Sequence, residues 1–281
     1  MPSSVKAFSP GHISGYFSRI TKPTTGETGS IGAGIVLKEG VIASVTRSAE
    51  TTVTVIADGV RTFGSPPLEE ALRRLSVTAA VQSESNLPIG SGFGLSAASL
   101  LATITAADAL FSLSMSGDEI ALLAHEIEVL HGNGLGDVAA ELGGGLVCRT
   151  FPGIRGVISR NMDFQGPISI ISLGPISTRD VIGSAESMER VQSAYPGCCP
   201  SDMDDFIRLS RRFAESSGLI TPVIRKILSA CDEAMVPASM TMLGEGVFAT
   251  GDRAAALLSR FGRVYTTTIA GDGAGIVEVT P

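Results

Sequence analysis

Three glycines at alternate positions, Gly90, Gly92 and Gly94, stand directly before an apolar run that begins at Leu95. A backbone that lacks Cβ atoms at every second residue can approach an anion closely. The small residues Ser96, Ala97 and Ala98 then open a helix, whose first N–H groups and positive dipole end favour a polyphosphate. The segment is not a Walker A loop, because no GKS or GKT closes it. Nor is it a dinucleotide fingerprint, because Gly90-x-Gly92-x-Gly94 has the wrong spacing. From the residues alone it is either a phosphate cradle or a flexible turn ahead of a core helix.

The remaining composition narrows the function. A chain of 281 residues with 44% hydrophobic content suits one large or two medium domains. The net charge of -7 argues against a general nucleic-acid binder, which should be basic. An acidic chain that handles phosphates must gather positive potential locally. The four cysteines, Cys148, Cys198, Cys199 and Cys231, show no metal-ligand spacing. Cys198 and Cys199 are adjacent and poorly placed to bridge each other, and the expectation is reduced thiols in a cytoplasmic protein. No charged-then-apolar signal segment opens the chain. Leu95 to Leu113 is as long as a membrane span, but Ser96, Ser99, Thr103, Thr105, Asp108 and Ser112 interrupt it, so a buried core helix is expected and no membrane partner.

Along the chain, Val5–Ser9, Gly34–Leu37, Val41–Thr46 and Thr51–Ile56 read as strands, the first ending at Pro10-Gly11. Leu68–Val81 has helical spacing after a proline start. A helix is expected over Asp118–His131, with Asp118 as cap. A glycine turn at 132–136 and a strand over Leu146–Thr150 follow. The second half predicts a strand at Ile168–Leu173, then helices at Arg179–Ser193, Met203–Ser216 and Thr221–Glu233. A loop or strand at Met240–Ala249, a helix at Asp252–Phe261 and a strand at Val264–Ile269 complete it. Pro152-Gly153 and Gln165-Gly166-Pro167 bracket a domain border, giving segments 1–163 and 164–281.

The segment from Pro88 to Ala98 resembles the phosphate loop of the GHMP kinases, with Phe93 in place of Leu and Leu95 in place of the first Ser. The resemblance implies that Pro88, Gly90, Ser91, Gly92, Phe93, Gly94, Leu95, Ser96 and Ala97 bind ATP, and that Ser96 helps to hold Mg²⁺. Further on, His131-Gly132-Asn133-Gly134-Leu135-Gly136-Asp137 is similar to the family's H-G-N-x-S-G-x-D, one residue shorter and with Leu for Ser. By resemblance Asp137 is the catalytic base, since phosphoryl transfer needs a carboxylate to orient the acceptor hydroxyl and accept its proton. Mg²⁺ takes one or two protein oxygens, and Glu128 is favoured over Glu126 for that role. His125 shares a helix face with Glu128 and is expected on the substrate side.

The early segment Ser9-Pro10-Gly11-His12-Ile13-Ser14-Gly15 occupies the place of the family's substrate motif, with His12 either a ligand or a turn residue. Two later segments compete for the third glycine motif, Ser239–Gly246 and Ala270–Gly275. The first is preferred and the second reads as a hairpin turn. A finer resemblance is to the archaeal pantoate kinase branch, carried by Ser9–Gly15, Gly29–Gly34, Ala124–Val129 and Gly134–Val138. Arg149 would suit a carboxylate, or else a surface ion pair. Ser30, His125 and Thr178 would supply neutral hydrogen bonds, with turn roles open for Ser30 and Thr178.

The implied fold is α+β, with an N-terminal domain like ribosomal protein S5 domain 2, a ferredoxin-like C-terminal domain and the active site between them. The implied reaction converts ATP and pantoate to ADP and 4-phosphopantoate, a step toward coenzyme A. Alternatives are a GHMP kinase for mevalonate, homoserine or shikimate, a non-catalytic sensor of the same fold, and a dinucleotide oxidoreductase disfavoured by the glycine spacing. A homodimer is compatible with the resemblance.

Overall fold

The computed structural model describes residues 2–175 and 185–281. Thr178 and the expected helix start at Arg179 lie outside them. Among the described residues two sheets form, with helices packed on each, an α+β arrangement. The larger has eight strands, ordered β12-β1-β2-β5-β3-β4, with β6 pairing β2 and β7. These are β1 (Ser4–Ile20), β2 (Gly29–Arg47), β3 (Thr52–Ala57), β4 (Val60–Phe63), β5 (Ala79–Ser85), β6 (Leu146–Arg149), β7 (Val157–Asn161) and β12 (Gly275–Thr280). The second sheet is antiparallel and ordered β11-β8-β10-β9, from β8 (Ile168–Pro175), β9 (Ala238–Met240), β10 (Gly244–Thr250) and β11 (Val264–Thr267).

The long pair β1 and β2 is the spine of the molecule. The sequence suggests that a strand ends at Pro10-Gly11, yet β1 runs on to Ile20. Register shifts at Pro10/Gly11 and Ser14/Tyr16 absorb the irregularity, so the proline sits where the ladder is already broken. The same correction joins Gly34–Leu37 and Val41–Thr46 into one strand.

Helix α1 (Pro66–Arg74) is shorter than its periodicity predicts. Leu75 caps it, and Ser76 takes a positive φ of 56°. The chain then enters β5, where Ala79, Val81, Ser83 and Ser85 alternate inward; the apolar spacing of the helix had run on into a half-buried strand. Helix α2 (Leu95–Phe111) is the expected core helix, with Ala97, Ala98, Leu100, Leu101, Ile104 and Leu110 buried. Among the described residues no helix is long and apolar enough to cross a membrane. Helix α3 (Gly117–His131) is capped by Ser116 rather than Asp118. The Ser116 hydroxyl accepts from Glu119 N–H, and the Glu119 carboxylate accepts from Ser116 N–H at 2.7 Å, a reciprocal capping box.

A five-residue helix, α4 (Asp137–Glu141), follows the glycine turn. Helices α5 (Ala185–Ala194), α6 (Met203–Ser217), α7 (Pro222–Glu233) and α8 (Ala254–Leu258) accompany the second sheet. Ala270–Gly275 is not a hairpin turn. It carries the chain from β11 in the second sheet to β12, which pairs with β1 in the first. One apolar core also crosses between the sheets, joining Ile13, Phe17, Phe93 and Leu95 to Phe206, Met242 and Phe248.

The thiols depart from expectation. Cys148 and Cys199 form a disulfide with their Cα atoms 5.6 Å apart, leaving Cys198 and Cys231 free. The pairing ties β6 to the segment before α6, a closeness that their separation of 51 residues conceals. Closing a loop of that length stabilises by about 2–4 kcal/mol, chiefly by restricting the unfolded chain. Reduction, or Cys199→Ser, should therefore lower the Tm in a thermal melt; an unchanged Tm would mean that the bridge contributes nothing.

Candidate active site

The glycine loop adopts the conformation its composition suggests. Gly90, Gly92 and Gly94 all take positive φ, at 77°, 79° and 66°. The alternation turns Phe93 and Leu95 into the core and leaves the backbone toward a cavity. Phe93 and Leu95 thus anchor the loop where two family residues differ. The Phe93 carbonyl accepts a hydrogen bond from His12 N–H at 2.9 Å. From the second sheet, Thr241 Oγ1 donates to the Ser91 carbonyl at 3.2 Å and Ser172 Oγ donates to Ser91 Oγ at 2.6 Å. A Cβ on Gly92 would meet the Met242 carbonyl at 2.6 Å. The preferred third segment, Ser239–Gly246, therefore lies against the loop.

The cavity beside the loop has a volume of about 350 Å³, within the usual range for small-molecule sites. Gly90, Gly92, Phe93, Gly94, Leu95 and Ser96 line it, as do Ser30, Glu128 and Asp137. Pro88, Ser91 and Ala97, expected at the nucleotide, are not on its wall; Ser91 and Ala97 are buried supports of the loop and of α2.

Opposite the loop, Ser96 Oγ donates to Glu128 Oε1 at 2.5 Å, and Glu128 Oε2 accepts from Gly134 N–H at 2.9 Å. Burial pushes the Glu128 carboxyl up to about 7, opposed by the Ser96 hydrogen bond and reinforced by the charge of Asp137. Glu126 points away and pairs with Arg74 at 3.0 Å on the surface. The Ser96 and Glu128 oxygens are hard donors that converge on one point, a donor set that fits Mg²⁺ completed by phosphate and water. Among the described residues no cluster of three or more His, Cys, Asp or Glu side chains forms a closed metal site.

Asp137 is held by His12, whose Nδ1 lies 2.7 Å from Asp137 Oδ1. Burial dominates the His12 shift and lowers its proton affinity, so the neutral imidazole donates its Nδ1–H. For Asp137, burial alone would raise the carboxyl. The His12 hydrogen bond and the charge of Arg149 outweigh it and hold the group below its ordinary value. His12 is fully buried and absent from the cavity wall, so it supports Asp137 rather than facing a substrate.

Two other expected substrate residues also sit behind the wall. His125 is buried and donates from Nε2 to the Thr28 carbonyl at 2.7 Å, tying α3 to the β1–β2 connection. Arg149 is 1% exposed, with Nη2 donating to Ser30 Oγ at 3.3 Å, and Nε and Nη1 without partners among the described residues. Ser30 does line the cavity, and a Cβ on Gly136 would meet its Oγ at 2.6 Å.

Sequence reasoning misses three residues here. Arg160 of β7 donates to the carbonyls of Ala139, Ala140 and Gly144 at 3.1, 2.8 and 2.7 Å, which clamps α4 and hence Asp137. Arg19 lines the cavity. Glu141, one turn after Asp137, is fully buried with neither carboxyl oxygen partnered among the described residues, and it lies beneath Gly94. Its position four residues after Asp137 is the one signal available from sequence.

Burial raises the Glu141 carboxyl well above its ordinary 4.5, and the charges of Asp137 and Glu128 add to this. The folded state then keeps a proton that the unfolded chain releases, so this group's contribution to stability falls as pH rises from about 4.5 through the folded value. Glu141→Gln should match the parent's Tm near pH 4 and exceed it increasingly toward pH 7. A gap that does not change with pH would mean that Glu141 is not held protonated.

Comparisons with known proteins identify the family. The family model described as the GHMP kinases N terminal domain matches residues 64–145, from the approach to α1 to the end of the glycine run after α4. A pantoate kinase from Methanospirillum hungatei is 44% identical, covering 97% of this chain and 96% of that protein. A pantoate kinase from Thermococcus kodakarensis is 31% identical, covering 87% of each. A solved structure described as a phosphotransferase related to the CoA biosynthesis pathway superposes with a TM-score of 0.79 at 26% identity, covering 98% of both chains.

Proposed function

The chain belongs to the pantoate kinases of the GHMP family, and on that premise we propose that it transfers the terminal phosphoryl group of ATP to pantoate, giving ADP and 4-phosphopantoate on the route to coenzyme A. The observation that carries the residue roles is Asp137, held ionised by His12 on the wall of the same cavity as the phosphate loop.

The triphosphate lies along Gly90–Ser96, where the exposed loop backbone and the first N–H groups of α2 meet its oxygens. A smaller cavity of about 240 Å³ continues from Ile89, Leu95 and Ser96 past Val55, Pro66 and Leu68. Its apolar wall suits the nucleoside. Ser96 and Glu128 hold Mg²⁺, which neutralises charge on the phosphates when bound. Asp137 orients the acceptor hydroxyl and takes its proton as the phosphoryl group departs from ADP. His12 fixes the carboxylate and keeps it ionised. Arg149, behind Ser30, orients that hydroxyl toward the acceptor and supplies positive potential from below.

The test is ADP release with Mg²⁺ and ATP against pantoate, mevalonate, homoserine and shikimate. Turnover with pantoate is expected, and turnover with another acceptor in its place would discard the substrate. Asp137→Ala should lower kcat by about 10²–10⁴-fold while ATP still binds in a fluorescence titration. An unchanged kcat would remove Asp137 from the reaction.

A further inference from the structure

Two glycine-rich segments have no part in the phosphate loop, Gly143–Gly145 after α4 and Ala270–Gly275 on the approach to β12. They meet at the end of α4. A Cβ on Gly144 would lie 2.0 Å from the Ala270 carbonyl oxygen, and one on Gly273 would lie 2.4 Å from the carbonyl carbon of Leu142, the residue that caps the helix. Gly145 takes a positive φ of 95° and donates its N–H to the Ala270 carbonyl at 3.1 Å. On the other flank, a Cβ on Gly143 would stand 2.9 Å from both Cζ and Nε of Arg160. A residue without a side chain lets the guanidinium lie there.

Helix α4 depends on that seat. It spans five residues, Asp137–Glu141, and the last four carbonyls of a helix have no partner within it. A helix this short does not hold its own shape. Arg160 stands opposite Val147 in the β6–β7 ladder, so the sheet fixes its backbone. From there Nη1 donates to the carbonyls of Ala140 and Gly144, and Nη2 to that of Ala139. One planar, charged group thus joins the end of α4 to the glycine run, with stronger bonds than a neutral donor makes. Asp137 is the first residue of the same helix, and its carboxylate must meet His12 while lining the cavity. A tilt of α4 moves that carboxylate, although the three bonds of Arg160 all fall on carbonyls. A displacement of about 1 Å can cost a reaction roughly 100-fold in rate.

We propose that Arg160, seated on Gly143, is a positioning residue for Asp137: it sets the orientation of α4 and so acts on the phosphoryl-transfer step rather than on the binding of either substrate. The proposal rests on the reading of the protein as a kinase with Asp137 as its base.

The test compares kcat and the KM values for ATP and pantoate in the wild type, Arg160→Ala, Arg160→Lys, Gly143→Ala and the double variant of Arg160→Ala with Gly143→Ala. The His12 ring N–H, which reports the contact with Asp137, is followed by NMR on protein labelled with ¹⁵N-histidine. In Arg160→Ala kcat should fall about 10–100-fold with both KM values little changed. Arg160→Lys should recover part of kcat, because one ammonium cannot span three carbonyls as the fork does. Gly143 has no positive φ, so alanine there adds only a Cβ that displaces the guanidinium and leaves every hydrogen-bonding group in place. Gly143→Ala should also lower kcat, and its effect should vanish in the Arg160→Ala background. Both single variants should shift the His12 signal. A kcat for Arg160→Ala within about twofold of wild type would overturn the proposal, well below the roughly 100-fold that misplacement can cost. So would KM values that rise as much as kcat falls, or losses that simply add in the double variant. If Arg160→Ala does not fold, an unchanged kcat in Gly143→Ala would overturn it instead. Wild-type protein that phosphorylates no acceptor would refute the kinase reading alone; Arg160 would then be judged on the His12 signal, and a signal unmoved in both single variants would overturn its role.

Discussion

Keeping one carboxylate ionised on the wall of a largely desolvated cavity is the constraint on which the site depends. Asp137 would be driven toward its protonated form by loss of water, and a protonated acid cannot accept a proton. The neutral His12 imidazole, itself held by its backbone bond to Phe93, offers its N–H to that carboxylate. The first strand thus holds Asp137 with a side chain and the glycine loop with its backbone at the same residue. Displacement of His12 would disturb both halves of the reaction at once. Arg160 secures the other side of Asp137 by filling the carbonyls at the end of its short helix.

The three carboxyl groups near the loop, two buried and Asp137 on the cavity wall, are separated by environment rather than by type. Asp137 has a hydrogen-bond donor and a nearby guanidinium. Glu128 has a hydroxyl, a backbone N–H and the Asn133 amide. Glu141 has none of these among the described residues and is left to hold its proton. Three negative charges so close would repel one another and any triphosphate. Burial raises Glu141 and Glu128, whereas Asp137 is held below its ordinary value, so the negative charge is favoured on Asp137.

The parts of this site that are legible in the sequence are those carried by contiguous residues. Gly90, Gly92 and Gly94 announce a backbone that needs positive φ, and the Asn133–Asp137 turn places an acid after glycines. The choice of Glu128 over Glu126 follows from helical phase, because only one of two residues two apart on α3 can face Ser96. What escapes the sequence depends on distant partners. His12 reads as either a substrate ligand or a turn residue because nothing local shows that Asp137 will lie against it. Arg149 and His125 read as ligands because their chemistry suits the role, yet burial places them behind the wall. Arg19 is a plain charged residue until the register sets it opposite Ser30. Cys148 and Cys199 look unrelated until β6 and the approach to α6 converge. Local pattern also misplaces element ends, as where the helix of α1 gives way to β5 at Ser76.

The pairing of β1 with β12 bears on how the molecule is assembled. Lys6 meets Glu278 across 272 positions of chain, and the strand stabilised there is the one that carries His12. Such distant contacts carry a large loop-closure cost before they contribute to stability, which makes them slow to form. The Asp137 carboxylate is therefore held by a strand whose last pairing has the longest loop to close. A partly folded chain can have its core helix α2 and glycine loop in place while the strand that holds the base still has an open edge, exposed to pairing with other chains.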